Sequence, residues 1–322
     1  MFTLRFDLRA PEGAAVITDL YAAAVDMCGW AESRGAVAAV LSEHHGTEDG
    51  HLAAPQLLAS AIAARTTHLM IILAAVPIPL WDPVRLAEEI CALDIISRGR
   101  VVWAFGIGHR NEEYDLFGVD ARNRGVLADE YLTVLRPLLR GEQVRHRGRE
   151  VRVSPSCVSD GGPMLLIAGG SRPAARRAAK HGLGFISQVD SPQLREYYLS
   201  QCEAHGHQPG LLQFPETSSP TTIFVAEDED RGWDELGPYL LHDAVTAASY
   251  RHGDDSVASI SPARTVDELR EAGGPYRILS PAEAAAYVGE GRPLPLHPLC
   301  GGLPPELAWP YLECATEAVR GG

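Results

Sequence analysis

The sequence predicts an α/β chain wound as a (β/α)8 TIM barrel. Short runs that are apolar on both faces recur along it, each run is followed by a helical pattern of several turns, and eight such pairs fit within 322 residues. Strands apolar on both faces belong to parallel sheets covered by helices. Eight strand–helix units need roughly 250 residues, so the length is sufficient for closure.

The elements follow in order. FTLRFDL (Phe2 to Leu8) is a strand, and DLYAAAVDMCGWAESRG (Asp19 to Gly35) is an amphipathic helix with an Asp start and a Gly stop. AVAAVLS (Ala36 to Ser42) is a continuous apolar strand. The helix LAAPQLLASAIAARTT (Leu52 to Thr67) has Pro near its first turn. HLMIILAAVPIPL (His68 to Leu80) is a strand running into prolines, and the helix Asp82 to Gly99 opens on Asp-Pro. RVVWAFGIG (Arg100 to Gly108) precedes a helix over Gly125 to Gly141. The rhythm continues with GPMLLIAGG (Gly162 to Gly170), LGFIS (Leu183 to Ser187), TTIFVAE (Thr221 to Glu227) and LPLHPL (Leu294 to Leu299) as strands. Their helices span Ser171 to Gly182, Ser191 to Gly206, Asp230 to Tyr250 and Pro304 to Val319.

Two stretches depart from the rhythm. Val144 to Val158 alternates charged and β-branched residues about Arg-Gly, which predicts a surface hairpin. His252 to Pro293 reads as an insertion before the last strand. With no linker or repeat beyond the βα unit, residues 1–322 are expected to form a single domain.

Composition narrows the function. The net charge is −14 and only one lysine is present, Lys180. An acidic chain without a basic cluster disfavours nucleic acid. The six cysteines are scattered, with no C-x-x-C pair, as expected of a reduced cytoplasmic protein. No stretch approaches the ~18 apolar residues of a membrane span, and Met1 to Gly13 lacks an apolar signal core.

In a barrel the active site lies at the C-terminal strand ends. Those ends carry Glu43, His44 and His45, then Ala74 and Ala75, then Gly106, Ile107 and Gly108, then Ala168 to Ser171, then Gln188. Small residues dominate, which suits a flat ligand lying close to the backbone. Ala168-Gly169-Gly170-Ser171 ahead of a helix offers N–H groups and dipole charge to a phosphate; an ordinary strand-to-helix turn with a Ser cap is the alternative. Gly106-x-Gly108 lacks the third glycine of a dinucleotide fingerprint, with Asn111 in its place.

For His44 and His45 three readings stay open. A metal would recruit Asp49 and His51, but H-H-x-x-x-D-x-H matches no tight zinc pattern, and no metal is expected. A structural histidine bonded to loop carbonyls is the second. A single imidazole doing acid/base work near neutrality is the third.

EHHG at Glu43 to Gly46, DPVRLAEEICALDIISRGR, the Gly106 to Gly118 run with EEYDLFG and the final HPLCGGLPPELAW together resemble the bacterial luciferase-like family of flavin-dependent oxidoreductases and monooxygenases. The resemblance covers nearly the whole chain. It implies the same barrel, with reduced FMN or the deazaflavin F420 at the strand tips. It places His44 beside the flavin as the catalytic group. It implies a non-proline cis peptide at Ala74-Ala75 under the ring, and phosphate contacts at Ala168, Gly169, Gly170 and Ser171. Gly106, Ile107 and Gly108 flank the cofactor, and His45, His109, Arg110, Tyr114 and Gln188 form the substrate pocket. One departure stands out: luciferases carry Arg where this chain has Ile107, which leaves the phosphate to the fifth-strand loop with help from Arg110 or Arg172.

The implied activity is a two-component FMNH2-dependent monooxygenase that inserts one atom of O2 into an organic substrate through a flavin C4a-peroxide. With no pyridine-nucleotide site in the chain, a separate flavin reductase would supply reduced FMN. The alternatives are an F420-dependent hydride-transfer oxidoreductase and a non-catalytic flavin-binding protein. A homodimer through the helices Leu52 to Thr67 and Asp82 to Gly99 is also implied.

Overall fold

The apolar runs condense into strands and the amphipathic runs into helices that cover them. A computed structural model describes residues 1–216, 219–251 and 257–321. The strands in chain order are β1 (Phe2–Phe6), β2 (Ala36–Leu41), β3 (Met70–Pro77), β4 (Val101–Gly106), β5 (Val144–His146), β6 (Arg149–Val151), β7 (Leu165–Ala168), β8 (Gly184–Ile186), β9 (Leu212–Gln213), β10 (Thr222–Val225), β11 (Tyr276–Leu279) and β12 (Leu294–Leu296).

The chain divides into two units. The first comprises Met1–Ala53, Arg65–Met70 and Glu216–Gly322. Its strands lie in the order β11-β10-β12-β1-β2, all parallel. Every residue of β10 is buried, the signature of a strand covered on both faces. The second unit comprises Ala54–Ala64 and Ile71–Pro215, with the parallel order β3-β4-β7-β8-β9. Val102, Ala104 and Leu166 form its inner cluster, against which Ala74 and Ala168 pack half-buried.

Helix starts follow local chemistry. The Asp82 carboxylate accepts from the Val84 and Arg85 N–H groups ahead of the helix Pro83–Ser97. Ser280 and Glu283 form a capping box on the helix Pro281–Gly289.

All eight strands expected from the sequence are present. The insertion expected before the last strand carries elements of its own. Residues 252–256 lie outside the described residues, but the remainder holds the helices Val266–Glu271 and Pro281–Gly289, and β11, which runs in four-residue register beside β10. β11 reads YRIL, with only Tyr276 and Ile278 buried, so it lacks the continuous apolar run of the other strands. The expected hairpin holds over Val144–Val151, turning on Arg147 and Gly148, both at positive φ. Beyond it, residues 152–158 are not strand. There the Asp94 carboxylate accepts from the Val158 and Ser159 N–H groups at 2.7 and 2.9 Å and ties the segment to the helix Pro83–Ser97.

Glu32, ending the helix Ile17–Glu32, holds the chain as it enters β3. Its carboxylate accepts from the N–H groups of His68, Leu69 and Thr67 and from the Thr67 hydroxyl. Burial would raise its pKa; the hydrogen bonds from His68, Leu69 and Thr67 overcome that and pull it down to about 2. A depressed carboxyl contributes stability above its unfolded pKa and loses it as pH falls toward the folded value. Glu32→Gln is therefore expected to flatten the acid limb of stability between about pH 4.5 and 2. Urea unfolding of both proteins across that window measures it, and equal slopes would contradict the assignment.

Candidate active site

In the first unit the chain leaves β2 at Leu41 and turns back through SEHHG. The His44 N–H donates to the Leu52 carbonyl at 3.2 Å and fixes the turn. Glu43 and His45, two residues apart, share a side: His45 Nε2 donates to Glu43 Oε1 at 3.0 Å, and both are buried. His44 is half-buried. Its ring meets the His51 ring edge-on at 4.8 Å and the Tyr250 ring at 5.3 Å. His51 Nε2 is hydrogen-bonded to Ser42 Oγ at 3.0 Å. Burial, then the Arg9 charge, pushes His51 well below the usual imidazole range, so it stands neutral beside His44.

Beneath this turn lies a buried ion network. Arg9 is 2% exposed. Its Nε lies 3.1 Å from both Asp7 Oδ2 and Asp243 Oδ1. Its Nη1 donates to Asp49 Oδ2 at 2.7 Å and to the Tyr250 hydroxyl at 3.2 Å. The Tyr276 hydroxyl donates to Asp243 Oδ2 at 2.7 Å, and His242 Nε2 donates to Asp49 Oδ2 at 3.2 Å. Burial opposes ionisation of Asp7, yet His297 and Arg9 hold it well below the usual carboxylate range. Burial likewise opposes the Arg9 charge, and Asp7, Asp243 and Asp49 overcome it.

The histidines and Asp49 of the H-H-x-x-x-D-x-H stretch are thus committed to separate partners. One other buried trio, Asp243, His297 and Cys300, has ligand-type atoms within 4.8 Å of one another. Arg9 and Tyr276 already occupy both Asp243 oxygens, and the guanidinium opposes a second cation there. Burial pushes the Cys300 thiol up, away from the thiolate a metal needs.

In the second unit the strand ends are pared to backbone. The Ala74-Ala75 peptide is cis, and the ladder to β4 shifts register between Ala74 and Val76. A Cβ on Gly106 would lie 3.3 Å from Ala75 Cβ, and one on Gly169 would lie 2.9 Å from Ala174 Cβ. Ala74, Ala75, Gly106, Ile107, Gly108, Ala168 and Gly169 are half-buried, while Gly170 and Ser171 are exposed. Ser171 stands at the N-cap of the helix Arg172–Lys180 with its side chain unused by the cap. Arg172 turns away, over the Tyr197 ring at 5.2 Å.

The connection after β4, for which the sequence predicts no element, holds the helix Asn111–Phe117, closed by left-handed Gly118. Two of the expected substrate-pocket residues brace it. The fully buried Tyr114 donates its hydroxyl to the Ile107 carbonyl, and the buried Arg110 Nη1 lies 3.3 Å from Glu113 Oε1. His109 and Gln188 are half-buried. Beside Ile107 a concavity of about 420 Å³ is lined by Ile107, Asn111, Ala121, Arg122, Arg124 and Gly125. Arg122 is bidentate to Asp120, whereas half-buried Arg124 has no carboxylate partner among the described residues. Arg124 went unnoticed in the sequence, where it is one arginine among many.

A family model described as luciferase-like monooxygenase matches residues 3–287. The chain belongs to this family. The alkanal monooxygenase alpha chain of Photorhabdus luminescens is 29% identical over 177 residues, 52% of this chain and 49% of that protein. The chain thus spans about half the length of the curated relative it matches. Among solved structures, the monooxygenase RslO1 of Streptomyces bottropensis gives a TM-score of 0.76 at 20% identity, covering 100% of this chain and 99% of that one. The oxygenating constituent of 3,6-diketocamphane monooxygenase from a Pseudomonas putida plasmid, solved with FMN, gives 0.71 at 18% identity, covering 99% and 97%. The fold is the family's (β/α)8 barrel, as the strand count predicts. Among the described residues no helix is long and apolar enough to cross a membrane.

Removing the central cation tests the ion network. Arg9→Met is expected to lower the unfolding free energy by about 3–5 kcal/mol, because three carboxylates lose their shared partner in the interior. Tyr276→Phe, which removes one donor from Asp243, is expected to cost about 1–3 kcal/mol. Denaturant titration ranks the two, and an Arg9→Met loss no larger than that of Tyr276→Phe would refute the central place of Arg9.

Proposed function

We propose that this chain is the oxygenase component of a two-component flavin-dependent monooxygenase. It would take reduced FMN from a separate flavin reductase and insert one oxygen atom of O2 into a small organic substrate. The observation that carries this reading is the bare patch at the strand ends of the second unit, together with membership of the family. A flat ring needs a floor at backbone height, and Ala74, Ala75 and Gly106 supply one. A phosphate needs N–H donors and a cation. Gly170, Ser171 and the first turn of the helix Arg172–Lys180 supply the first, Gly169 (its N–H bonded to the Ile186 carbonyl at 3.0 Å) only leaves the approach clear, and Arg124 supplies the second. The residues therefore fit the cofactor.

When bound, reduced FMN supplies the electrons that activate O2. The chain supplies position, dryness and a proton. Ala74, Ala75 and Gly106 set the height of the ring, with Ile107 and Gly108 at its flank. Gly170, Ser171 and Arg124 hold the phosphate. Tyr114 and Arg110 keep the loop after β4 closed over apolar strand ends, which excludes water. Half-buried His109 and Gln188 would contact the substrate, while the His45–Glu43 pair holds the His44 turn. His44 would move a proton at its imidazole nitrogen, with the uncharged His51 beside it. Leu57, Ile95 and Ile96, exposed on the helices Pro55–Arg65 and Pro83–Ser97, support pairing of two copies there.

Anaerobic titration tests the cofactor. Reduced FMN is expected to bind and reduced F420 not to; binding of F420 alone would move the chain to hydride transfer. Arg124→Ala is expected to weaken FMN about tenfold or more and leave riboflavin, which lacks the phosphate, unchanged. His44→Ala is expected to retain FMN binding while oxygenated product falls roughly 10²- to 10⁴-fold. Unchanged turnover in that variant would remove His44 from the chemistry.

A further inference from the structure

Outside the strand tips, two cysteines far apart in sequence meet. Cys91 lies on the helix Pro83–Ser97 and is fully buried, while half-buried Cys157 lies in the segment after the β5–β6 hairpin. Their sulfurs are 3.2 Å apart across 66 positions of chain. A disulfide bond is ~2.05 Å long, so closure needs a shift of only about 1 Å.

The approach is fixed from both sides. One turn along the helix from Cys91, buried Asp94 takes the Val158 and Ser159 N–H groups and the Ser159 hydroxyl, the last at 2.6 Å. That clamp sets the position of Cys157 from the very next residue. The four remaining cysteines, Cys28, Cys202, Cys300 and Cys314, have no such neighbour among the described residues.

We propose that Cys91 and Cys157 form a peroxide-responsive dithiol, a modification site that closes reversibly to a disulfide. One sulfur attacks an oxygen of hydrogen peroxide; the O–O bond breaks, and the leaving oxygen departs as water. The sulfenic acid so formed is attacked at sulfur by the second thiol. Its S–O bond breaks, a second water leaves, and the S–S bond forms. Two thiols are oxidised and one peroxide is reduced to two waters.

The surroundings support the step. A hydrogen bond from the Cys157 thiol, with its backbone N–H, draws the Cys91 thiol below its ordinary pKa, while the same contact raises Cys157. The pair therefore gives up its first proton at Cys91, and the partly exposed Cys157 gives peroxide access. The proposal does not depend on the flavin reading, because the oxidant is hydrogen peroxide from any source.

Peptide mapping of the reduced full-length protein after a peroxide pulse, with free thiols alkylated and no reductant in the digest, decides it. The expected product is a Cys91–Cys157 cross-linked peptide lighter by about two mass units than the two thiol peptides together, reversed by dithiothreitol. The thermal midpoint of the oxidised protein is expected to rise by about 5 °C, since the bond closes a long loop of the unfolded chain. Cys157→Ser is expected to abolish that rise. Free alkylation of both cysteines after peroxide, separate sulfinic acids on each, or a rise that persists in Cys157→Ser would overturn the proposal. The mapping needs only the wild-type chain, so a variant that misfolds does not blunt it.

Discussion

The tip of the first unit depends on one buried guanidinium. Arg9 reaches Asp7 on its own strand end, Asp49 in the loop after β2 and Asp243 on the helix Glu229–Ser249. Three separate segments of chain are tied to one cation. Burying these charges carries a large desolvation cost, and it is offset only where each oxygen and each N–H finds a partner. Tyr276 and His242 add two donors on the carboxylate side. The surroundings of His44 follow from it. Asp49 holds the loop that carries His51, and Tyr250, whose hydroxyl takes a hydrogen bond from Arg9, packs against the His44 ring. The position of His44 is thus set by electrostatics one shell away, through Asp49 and Tyr250.

The second unit obeys the opposite rule. Where the first unit gathers charge, this one removes side chains. A Cβ added at Gly106 would crowd Ala75, and one added at Gly169 would crowd Ala174 more closely still. Stability lost with those side chains is restored by anchors lying off the patch. Tyr114 holds the loop at the Ile107 carbonyl, and Arg177 donates to the Gly125 carbonyl at 3.0 Å and to Asp129 at 2.9 Å. The fold can leave a surface bare because the elements beneath it are fixed elsewhere.

Much of this was legible in the sequence, and the reasons for the remainder are physical. A run such as VVWAFG announces a strand because both of its faces are buried. YRIL does not, because half of it is only partly buried and one residue is an arginine. The helix Asn111–Phe117 carried usable signals in Glu112, Glu113 and the closing Gly118, but seven residues are too few to show a period. The Ala74-Ala75 cis peptide came only from the family resemblance, since alanines carry no local mark of it. Arg9 stayed hidden for a different reason: its partner Asp243 lies 234 positions away, and no local pattern pairs charges over such a span.

The loop after β4 joins these strands of reasoning. An arginine directly after a strand end would have to send a long flexible side chain back over the patch. With Ile107 there, the side chain at the strand end is apolar, and the Ile107 carbonyl is claimed by Tyr114. In the proposed reading the positive charge would come from further along the chain. Arg124 opens the helix Arg124–Leu139 and lines the same concavity as Ile107. A cation fixed at its base by helical backbone loses less freedom on meeting an anion than one swinging from a loop, because part of its ordering is already complete in the folded chain. On that reading, Arg124 would supply at the rim the charge that Ile107 does not bring to the strand end.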